Sequence, residues 1–383
     1  MRRTKLATAA ALMSPLLILP ILRGADSNPS FANLVLERLA IEGSPKIPSA
    51  SQFLRSDLKG RLYLLHGDTL QIDEIQPSGK LVTRSKPANV QVGNIKPISD
   101  ALVSPDGSAW LLASGPERIA LLTSDGLRDL PPVHWVISSL AYSIDGPIVA
   151  VSPLRVGAED AGAPPTKADW NHPPLLLRLE DQQWQTLVPG EPFVSRDQRP
   201  LRLQEITAER DTRLAVGAKG TLWVGQKDAY LLRHYSRSGA LLESLAVGGG
   251  GVQWRERTAE DWKSLGDAAR SGGVAFNRST LANVQALKVV RGLTARDDQV
   301  YLAIESSTGL ALDRWDAKSR ALDRLLLPTI PLGRVSVDLV AGRYGLYLAG
   351  PRVGDPIWHA DWENIDSAKW QPVPEASFRV SSR

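Results

Sequence analysis

The sequence contains no cysteine, and methionine and histidine are scarce. Its 383 residues include two methionines and five histidines. Without cysteine there can be no disulfide, thiol nucleophile, thiolate metal site or cysteine-linked lipid anchor. No histidine stands at metal-ligand spacing from another, such as four residues apart on a helix. We therefore expect neither a bound metal nor another cofactor.

Signatures of catalysis and of phosphate binding are also absent. There is no Gly-x-Ser-x-Gly nucleophile elbow, and spacing alone assembles no Ser/His/Asp set. The acidic residues do not form a calcium loop with its terminal Glu. The glycine run 248–251 continues into Val252-Gln253-Trp254 instead of Lys-Ser/Thr, so it reads as a flexible hinge. The sequence therefore names no catalytic residue.

The formal excess of positive charge belongs to the N-terminal segment. The whole chain has 45 Lys and Arg against 41 Asp and Glu. Four of the basic residues and none of the acidic ones lie in the first 25 positions, so 41 of each remain beyond them. Nucleic-acid binding calls for a clustered basic face, which a balanced chain does not indicate. We exclude that class of partner.

Residues 1–25 read as a secretory signal segment. A basic start is followed by an apolar run over 7–22, which Pro15 and Pro20 interrupt. Such a run suits a signal segment better than a spanning helix. We expect cleavage near Ala25, export to the periplasm or exterior of a bacterial cell, and no membrane span in the mature chain. The alternative is an uncleaved anchor, because Arg23 fits the cleavage pattern poorly.

A turn signal recurs along the chain. A glycine is followed by an aromatic residue three positions later and by a second glycine nineteen positions later. The three occurrences are Gly60/Tyr63/Gly79, Gly107/Trp110/Gly126 and Gly220/Trp223/Gly239. Short apolar runs separate these turns, which is typical of many short antiparallel strands.

The same frame fits six times, with an aromatic residue near the same register in five units. These aromatic residues are Tyr63, Trp110, Trp223, Tyr301 and Tyr347, and Val149 stands in the sixth unit. We predict an all-β fold: a six-bladed β-propeller of four-stranded antiparallel blades over 47–378, with one short helical insertion. Residues 26–46 contain a strand-like segment that we expect to close the ring on the last blade. The alternative is a pair of β-sandwiches.

These units resemble the repeats of the NHL and gluconolactonase-like six-bladed propeller superfamily. The resemblance rests on the spacing of turn residues and strands in two stretches, Ser104-Pro105-Asp106-Gly107-Ser108-Ala109-Trp110 and Leu232-Arg233-His234-Tyr235-Ser236-Arg237-Ser238-Gly239. It spans about residues 45 to 378 and is one of fold. It implies a central channel in which the enzymes of that superfamily hold a divalent metal with acidic and Asn side chains.

Three insertions interrupt the regular spacing, at 155–174, 189–203 and 248–285. Propeller topology would put all three on one face, opposite the tight turns. The third has an N-cap pattern over 258–261, followed by a helical stripe at Trp262, Leu265 and Ala269. Binding residues usually lie on such long loops. We therefore expect the elaborated face to carry the function.

Candidate ligand-binding residues come from the inner strands and from these insertions. Counting seven residues back from the inner turn glycines, or to the corresponding positions in blades five and six, gives Asp100, Ser139, Arg213, Arg291 and Asp338. Two arginines disfavour a cation and suit an anionic or neutral polar ligand. The alternative is that these residues pair with one another. From the insertions we add Trp170, His172, Trp254 and Trp262.

The expected function is therefore non-catalytic. We expect an exported, monomeric propeller that binds a small polar or anionic ligand, or a protein partner, on its elaborated face. The first alternative is a metal-dependent lactonase or hydrolase of the gluconolactonase-like kind. The second is a lyase or sugar-active enzyme that uses His172 with a channel carboxylate.

Overall fold

The structure is a computed structural model with two compact units, Met1–Phe31 and Ala32–Arg383. Everything reported below belongs to the second unit. The residues that the structure describes are 34, 36–39, 51–85, 98–114, 118–133, 135–155, 174–190, 212–248, 254–271, 284–286, 289–306, 309–327, 337–350 and 355–382. No helix within these ranges is long and apolar enough to cross a membrane.

The first half of the described chain forms one leading strand and three four-stranded blades. Strand β1 is Glu37–Leu39. Blade 1 consists of β2 (Gln52–Ser56), β3 (Leu62–His66), β4 (Ile72–Ile75) and β5 (Leu81–Ser85). Blade 2 consists of β6 (Ile98–Val103), β7 (Trp110–Ser114), β8 (Arg118–Thr123) and β9 (Gly126–Asp129). Blade 3 consists of β10 (Trp135–Ser143), β11 (Gly146–Arg155), β12 (Pro174–Glu180) and β13 (Gln183–Pro189).

The second half forms the other three blades and a small insertion. Blade 4 contains β14 (Thr212–Val216), β15 (Leu222–Gln226), β16 (Leu231–Tyr235) and β17 (Leu241–Val247). The insertion contains β18 (Trp254–Glu256), helix α1 (Ala259–Ser271) and β19 (Val284–Ala286). Blade 5 contains β20 (Val290–Arg296), β21 (Gln299–Ser306), β22 (Gly309–Asp316) and β23 (Ala321–Leu327). Blade 6 contains β24 (Asp338–Ala341), β25 (Gly345–Ala349) and β26 (Ile357–Asp361), and the chain ends with helix α2 (Trp362–Asp366), β27 (Gln371–Pro372) and β28 (Phe378–Ser382).

Within each blade, consecutive strands pair antiparallel. The innermost strands contact one another around the ring, and β24 of blade 6 contacts β2 of blade 1, which closes it. The six-bladed propeller predicted from the repeat is therefore confirmed, together with the fold that the superfamily resemblance implied. Closure protects the sheet edges that face the channel.

Both ends of the chain add strands to blades that other segments build. Strand β1 pairs with β26 as the outer strand of blade 6. At the other end, β27 pairs with β23 of blade 5 and β28 with β17 of blade 4. We call residues 362–382 the C-terminal strap, because they run along the outer edges of two blades in succession.

The recurring aromatic residues lie between the blades, as their register predicted. Each of the five is at most 6% exposed: Tyr63, Trp110, Trp223, Tyr301 and Tyr347. The Tyr63 and Trp110 rings meet edge to face with centroids 6.3 Å apart. Tyr63 and Trp110 share the contact of blades 1 and 2, while Trp223, Tyr301 and Tyr347 lie in the clusters between blades 4 and 5, 5 and 6, and 6 and 1. Burial of these rings stabilises those four contacts.

The tight turn of blade 1 shows why the repeat needs glycine. Gly60 has a φ of +71°, and a Cβ there would lie 2.5 Å from the backbone nitrogen of Arg343. That nitrogen donates a 2.8 Å hydrogen bond to the Gly60 carbonyl. A side chain at this turn would therefore both strain the backbone and separate blades 1 and 6.

The insertions leave from the end of the ring at which the inner strands begin. Trp135 at the start of β10 pairs with Arg155, where the first insertion leaves, and Pro174 pairs with Pro189, where the second leaves. The segments 156–173 and 191–211 lie outside the described residues. In the third, the predicted N-cap is confirmed, since the Asp261 amide donates to Thr258 Oγ1 and the Thr258 amide to the Asp261 carboxylate.

Candidate functional site

A cavity of about 500 Å³ occupies the central channel. All six innermost strands contribute to its wall, through Arg55, Asp100, Ser139, Arg213, Thr294 and Asp338. Its rim includes the tight turns that join first and second strands, such as Gly60, Pro105 and Gly342. The volume is in the range of small-molecule sites. The cavity therefore lies on the side of the short turns, away from the insertions.

Arg55 of blade 1 links two carboxylates across three blades. Its Nη2 lies 2.7 Å from Asp100 Oδ1, and its Nη1 lies 2.7 Å from Asp338 Oδ1. These three side chains are only 11 to 14% exposed. Burial lowers the pKa of the guanidinium, but the two carboxylates outweigh that effect and hold the pKa above its ordinary value. The ion-pair network joins blades 6, 1 and 2 at the channel wall.

The second oxygen of each carboxylate binds a backbone amide of the neighbouring blade. Asp100 Oδ2 accepts a 2.9 Å hydrogen bond from the Leu140 amide. Asp338 Oδ2 accepts one of 2.9 Å from the Leu54 amide. Both carboxylates are therefore fully used in tying blades together. The pairing differs from the alternative left open by the sequence, because Asp100 and Asp338 pair with Arg55 and with backbone amides and not with another counted candidate.

These residues do not fit the divalent metal that the superfamily resemblance implied. The Arg55 guanidinium lies between the two carboxylates that could have served as ligands. Within the described ranges, no three His, Asp or Glu side chains converge to hold a metal ion. A positively charged group at that position opposes cation binding.

Arg213 has a different environment on the far side of the channel. It lies in β14 of blade 4, which in a ring of six stands opposite blade 1. Its side chain lines the cavity and is partly buried. Among the described residues it has no ion pair or hydrogen-bond partner, and its Nε is shielded from solvent. Within the described part of the chain, Arg213 is therefore a cavity-lining cation without a counter-charge.

The other charged groups of the wall are likewise of two kinds, paired carboxylates and unpaired basic side chains. Asp57 pairs with Arg61 at 2.6 Å, and Asp297 lies 3.9 Å from Arg296. Lys59 and Arg343 are exposed at the rim and have no carboxylate partner within the described part of the chain. Each carboxylate of the wall thus has a basic partner, whereas three basic side chains do not. The free charge of the cavity is positive.

The remaining candidates from the sequence lie elsewhere. Arg291 is 5% exposed, forms an ion pair with Glu305 and does not line the cavity. Trp262 on α1 is buried with the Arg257 guanidinium over its ring, 5.5 Å from the centroid. Trp254 begins β18, outside the cavity wall. Trp170 and His172 lie outside the described residues.

Arg55 is the functional residue that the sequence reasoning did not find. The count of seven residues back from Gly60 reaches Phe53, so the register that selected the other candidates passes over it. The signal was present, since Arg55 is the one charged residue of the short strand Gln52–Ser56 and directly follows Phe53 and Leu54. Such a residue is buried only when it is paired.

Comparisons with known proteins find similar folds. No protein-family model matches the chain, and no curated protein sequence does. Among solved structures, selenomethionine-substituted virginiamycin B lyase from Staphylococcus aureus is similar, with 11% identity, a TM-score of 0.44 and coverage of 85% of this chain and 98% of that one. A streptogramin B lyase structure has 10% identity and a TM-score of 0.45, covering 87% and 100%.

A third similar structure is a protein of unknown function from Bacteroides thetaiotaomicron. It has 10% identity and a TM-score of 0.45, with coverage of 86% of this chain and 73% of that one. At these identities and scores, the likeness assigns neither a ligand nor a reaction to this chain.

Proposed function

We propose that this protein is a non-catalytic binding propeller that takes a small anionic ligand in its central cavity. The observation that carries the proposal is Arg213, a basic side chain that lines the cavity without a partner among the described residues. A partly buried charge without a counter-ion is costly unless something neutralises it. An anion in the cavity would do so.

The rest of the wall supports an anion over a cation. Asp100 and Asp338 are already neutralised by Arg55, and Asp57 by Arg61. A cation entering the cavity would meet carboxylates whose oxygens are occupied, and three basic groups that repel it. An anion would find those three groups unpaired, and Arg213 could bind a carboxylate or phosphate through two parallel N–H donors.

The metal-dependent hydrolase is disfavoured by the same geometry. That reaction needs a Lewis acid held by oxygen ligands, with an open position for substrate. Here a guanidinium occupies the space between Asp100 and Asp338. The expected site on the elaborated face, which includes Trp170 and His172, stays a prediction because those residues lie outside the described ones.

The test is calorimetric titration of the purified chain with acetate, inorganic phosphate and citrate. We expect at least one anion to bind, and Arg213→Ala to weaken that binding about tenfold or more, as loss of a charged hydrogen-bond partner does. Binding should also weaken as salt rises. No binding by any of the three anions would overturn the proposal.

Lys219→Ala is the matched control. Lys219 is an exposed basic residue near Arg213 in the same blade, but it does not line the cavity. Its removal changes the net charge by the same amount. Equal losses of binding in the two variants would show a general charge effect and would contradict a site at Arg213.

We further propose that residues 1–25 direct export and are then removed. The basic start and apolar run 7–22 support this. Expression in a bacterial host should yield a periplasmic form whose mass begins close to Ala25, while a chain lacking 1–25 should stay in the cytoplasm. Full-length protein retained in the membrane fraction would favour the anchor instead.

A further inference from the structure

We propose that the ligand of the cavity is an amphipathic organic anion, with a carboxylate or phosphate head at Arg213 and an apolar body along the channel towards the short-turn face. This inference rests on the proposed function and adds the chemical class of the ligand. It depends on three features of the wall: the position of the cation, the side chains above it, and the composition of the rim.

The cation lies away from the rim. Arg213 is the second residue of β14, and the turn of that blade begins four residues later at Gly217. At a rise of about 3.3 Å per residue, this separation is roughly 13 Å along the strand. A small inorganic ion at Arg213 would therefore leave most of the cavity's length unfilled. A longer molecule can reach from Arg213 to the rim.

The wall between these two levels contains apolar side chains. Leu102, Leu214 and Val216 line the cavity and are only partly buried, although the structure packs all three against blade cores. Since innermost strands face the channel, the part of each side chain that the cores leave uncovered is available to a ligand there. Covering it would stabilise a bound apolar chain.

The rim adds apolar side chains beside its two exposed cations, Lys59 and Arg343. Leu58 lines the cavity and is 64% exposed, the largest value among the exposed large apolar side chains of the described residues. Trp362 also lines it, held by a 2.9 Å hydrogen bond from its Nε1 to the Gly342 carbonyl. A single exposed leucine is common on protein surfaces, so what matters here is its position: with Trp362 it places apolar area where the tail of a ligand would leave the cavity.

The test is a series of straight-chain carboxylates of increasing length, from acetate through hexanoate to decanoate, titrated calorimetrically into the full chain. Affinity should rise about twofold per added methylene, which is below the gain for complete burial because the channel is open at one end. Decyltrimethylammonium has a similar chain and the opposite charge, and it should bind at least tenfold more weakly than decanoate.

Two leucine variants separate the rim from general surface effects. Leu58→Ser should lower the affinity for decanoate and thereby reduce the gain from acetate to decanoate severalfold. Leu242→Ser is the matched control, since Leu242 is 41% exposed and does not line the cavity. It should change neither quantity. Both positions are exposed, so neither substitution threatens folding.

The outcomes distinguish this inference from the proposed function. Binding of acetate with no gain along the series would leave an anion site in place and overturn the amphipathic ligand. Equal binding of decanoate and decyltrimethylammonium would also overturn it, because a cationic site binds an anion more tightly than a cation. Failure of every anion to bind would remove the proposed function, and this inference with it.

Discussion

Two arginines face each other across the channel, one in blade 1 and one in blade 4, in opposite electrostatic circumstances. Arg55 is held by two carboxylates at 2.7 Å each. Arg213 has neither an ion pair nor a hydrogen bond within the described residues. At the level of these two arginines, the wall at blade 1 is thus neutralised, and the wall at blade 4 keeps a charge available. Residue type alone does not assign a role, because the surroundings of each guanidinium decide it.

Replacing Arg55 should give the largest effect. Arg55→Ala leaves Asp100 and Asp338 buried without their cation, so the free energy of unfolding should fall by about 3–5 kcal/mol. Urea denaturation at neutral pH measures this. A loss below about 1 kcal/mol would show that the backbone amides alone satisfy the carboxylates, and the contrast between the two arginines would weaken.

Alkaline pH should act on the ring through tyrosine and not through Arg55. Burial raises the pKa of Tyr301 to about 12, from an ordinary value of 10.0. As pH rises, Tyr301 therefore loses its proton in the unfolded chain before it does so in the folded protein. Its contribution to stability is complete below about pH 10 and is lost as pH rises to about 12. Two pKa units correspond to about 2–3 kcal/mol.

The measurement for this second effect is urea denaturation at about pH 8 and about pH 11. Tyr301→Phe should cost about 1 kcal/mol at the lower pH, since the hydroxyl donates a 2.7 Å hydrogen bond to Gln299 Oε1. It should lose less stability than the parent protein between the two pH values. If Tyr301→Phe and the parent protein lost the same stability between the two pH values, other groups would dominate the alkaline transition.

Asp338→Asn should have a smaller effect than loss of Arg55. The amide oxygen can still accept from the Leu54 amide, and Asp100 still neutralises the guanidinium. We expect a loss of about 1–2 kcal/mol, the size of a charged hydrogen bond. Thermal unfolding of the two variants side by side checks the order. A larger loss from Asp338→Asn would reverse our view of which group anchors the network.

Replacing Arg213 should have the smallest effect on stability. With no partner to lose among the described residues, Arg213→Ala should lower the free energy of unfolding by at most about 0.5 kcal/mol, although it weakens anion binding. Denaturation without ligand measures the first quantity. A loss comparable with that of Arg55→Ala would make Arg213 structural and would remove the contrast.

The fold could be predicted because its determinants are local and repeated. Turn glycines, short apolar runs and, in five of the six blades, a buried aromatic residue recur at similar spacing, so the units carry much the same information. The C-terminal strap carries no such pattern. Its strands β27 and β28 pair with blades built far earlier in the sequence, and no local signal indicates which edge they choose.

The site was predicted only in part, because a count of residues assumes regular strands. It reached Asp100, Ser139, Arg213 and Asp338, which all line the cavity, and their part in ligand binding stays a prediction. Strand β20 has a register irregularity between Val290 and Gly292, where Arg291 lies, and that side chain does not reach the cavity. Arg55 was missed because the count in blade 1 reaches Phe53, two residues before it. Bulges of this kind depend on tertiary packing.

The C-terminal strap sets the order in which the molecule can be completed. Blade 6 takes its outer strand β1 from residues 37–39, whereas blades 5 and 4 take their outermost strands from residues 371–372 and 378–382. Blades 4 and 5 therefore each lack one strand until the strap is in place. Until then the outer edges of β17 and β23 are open, and an open strand edge can pair with another chain.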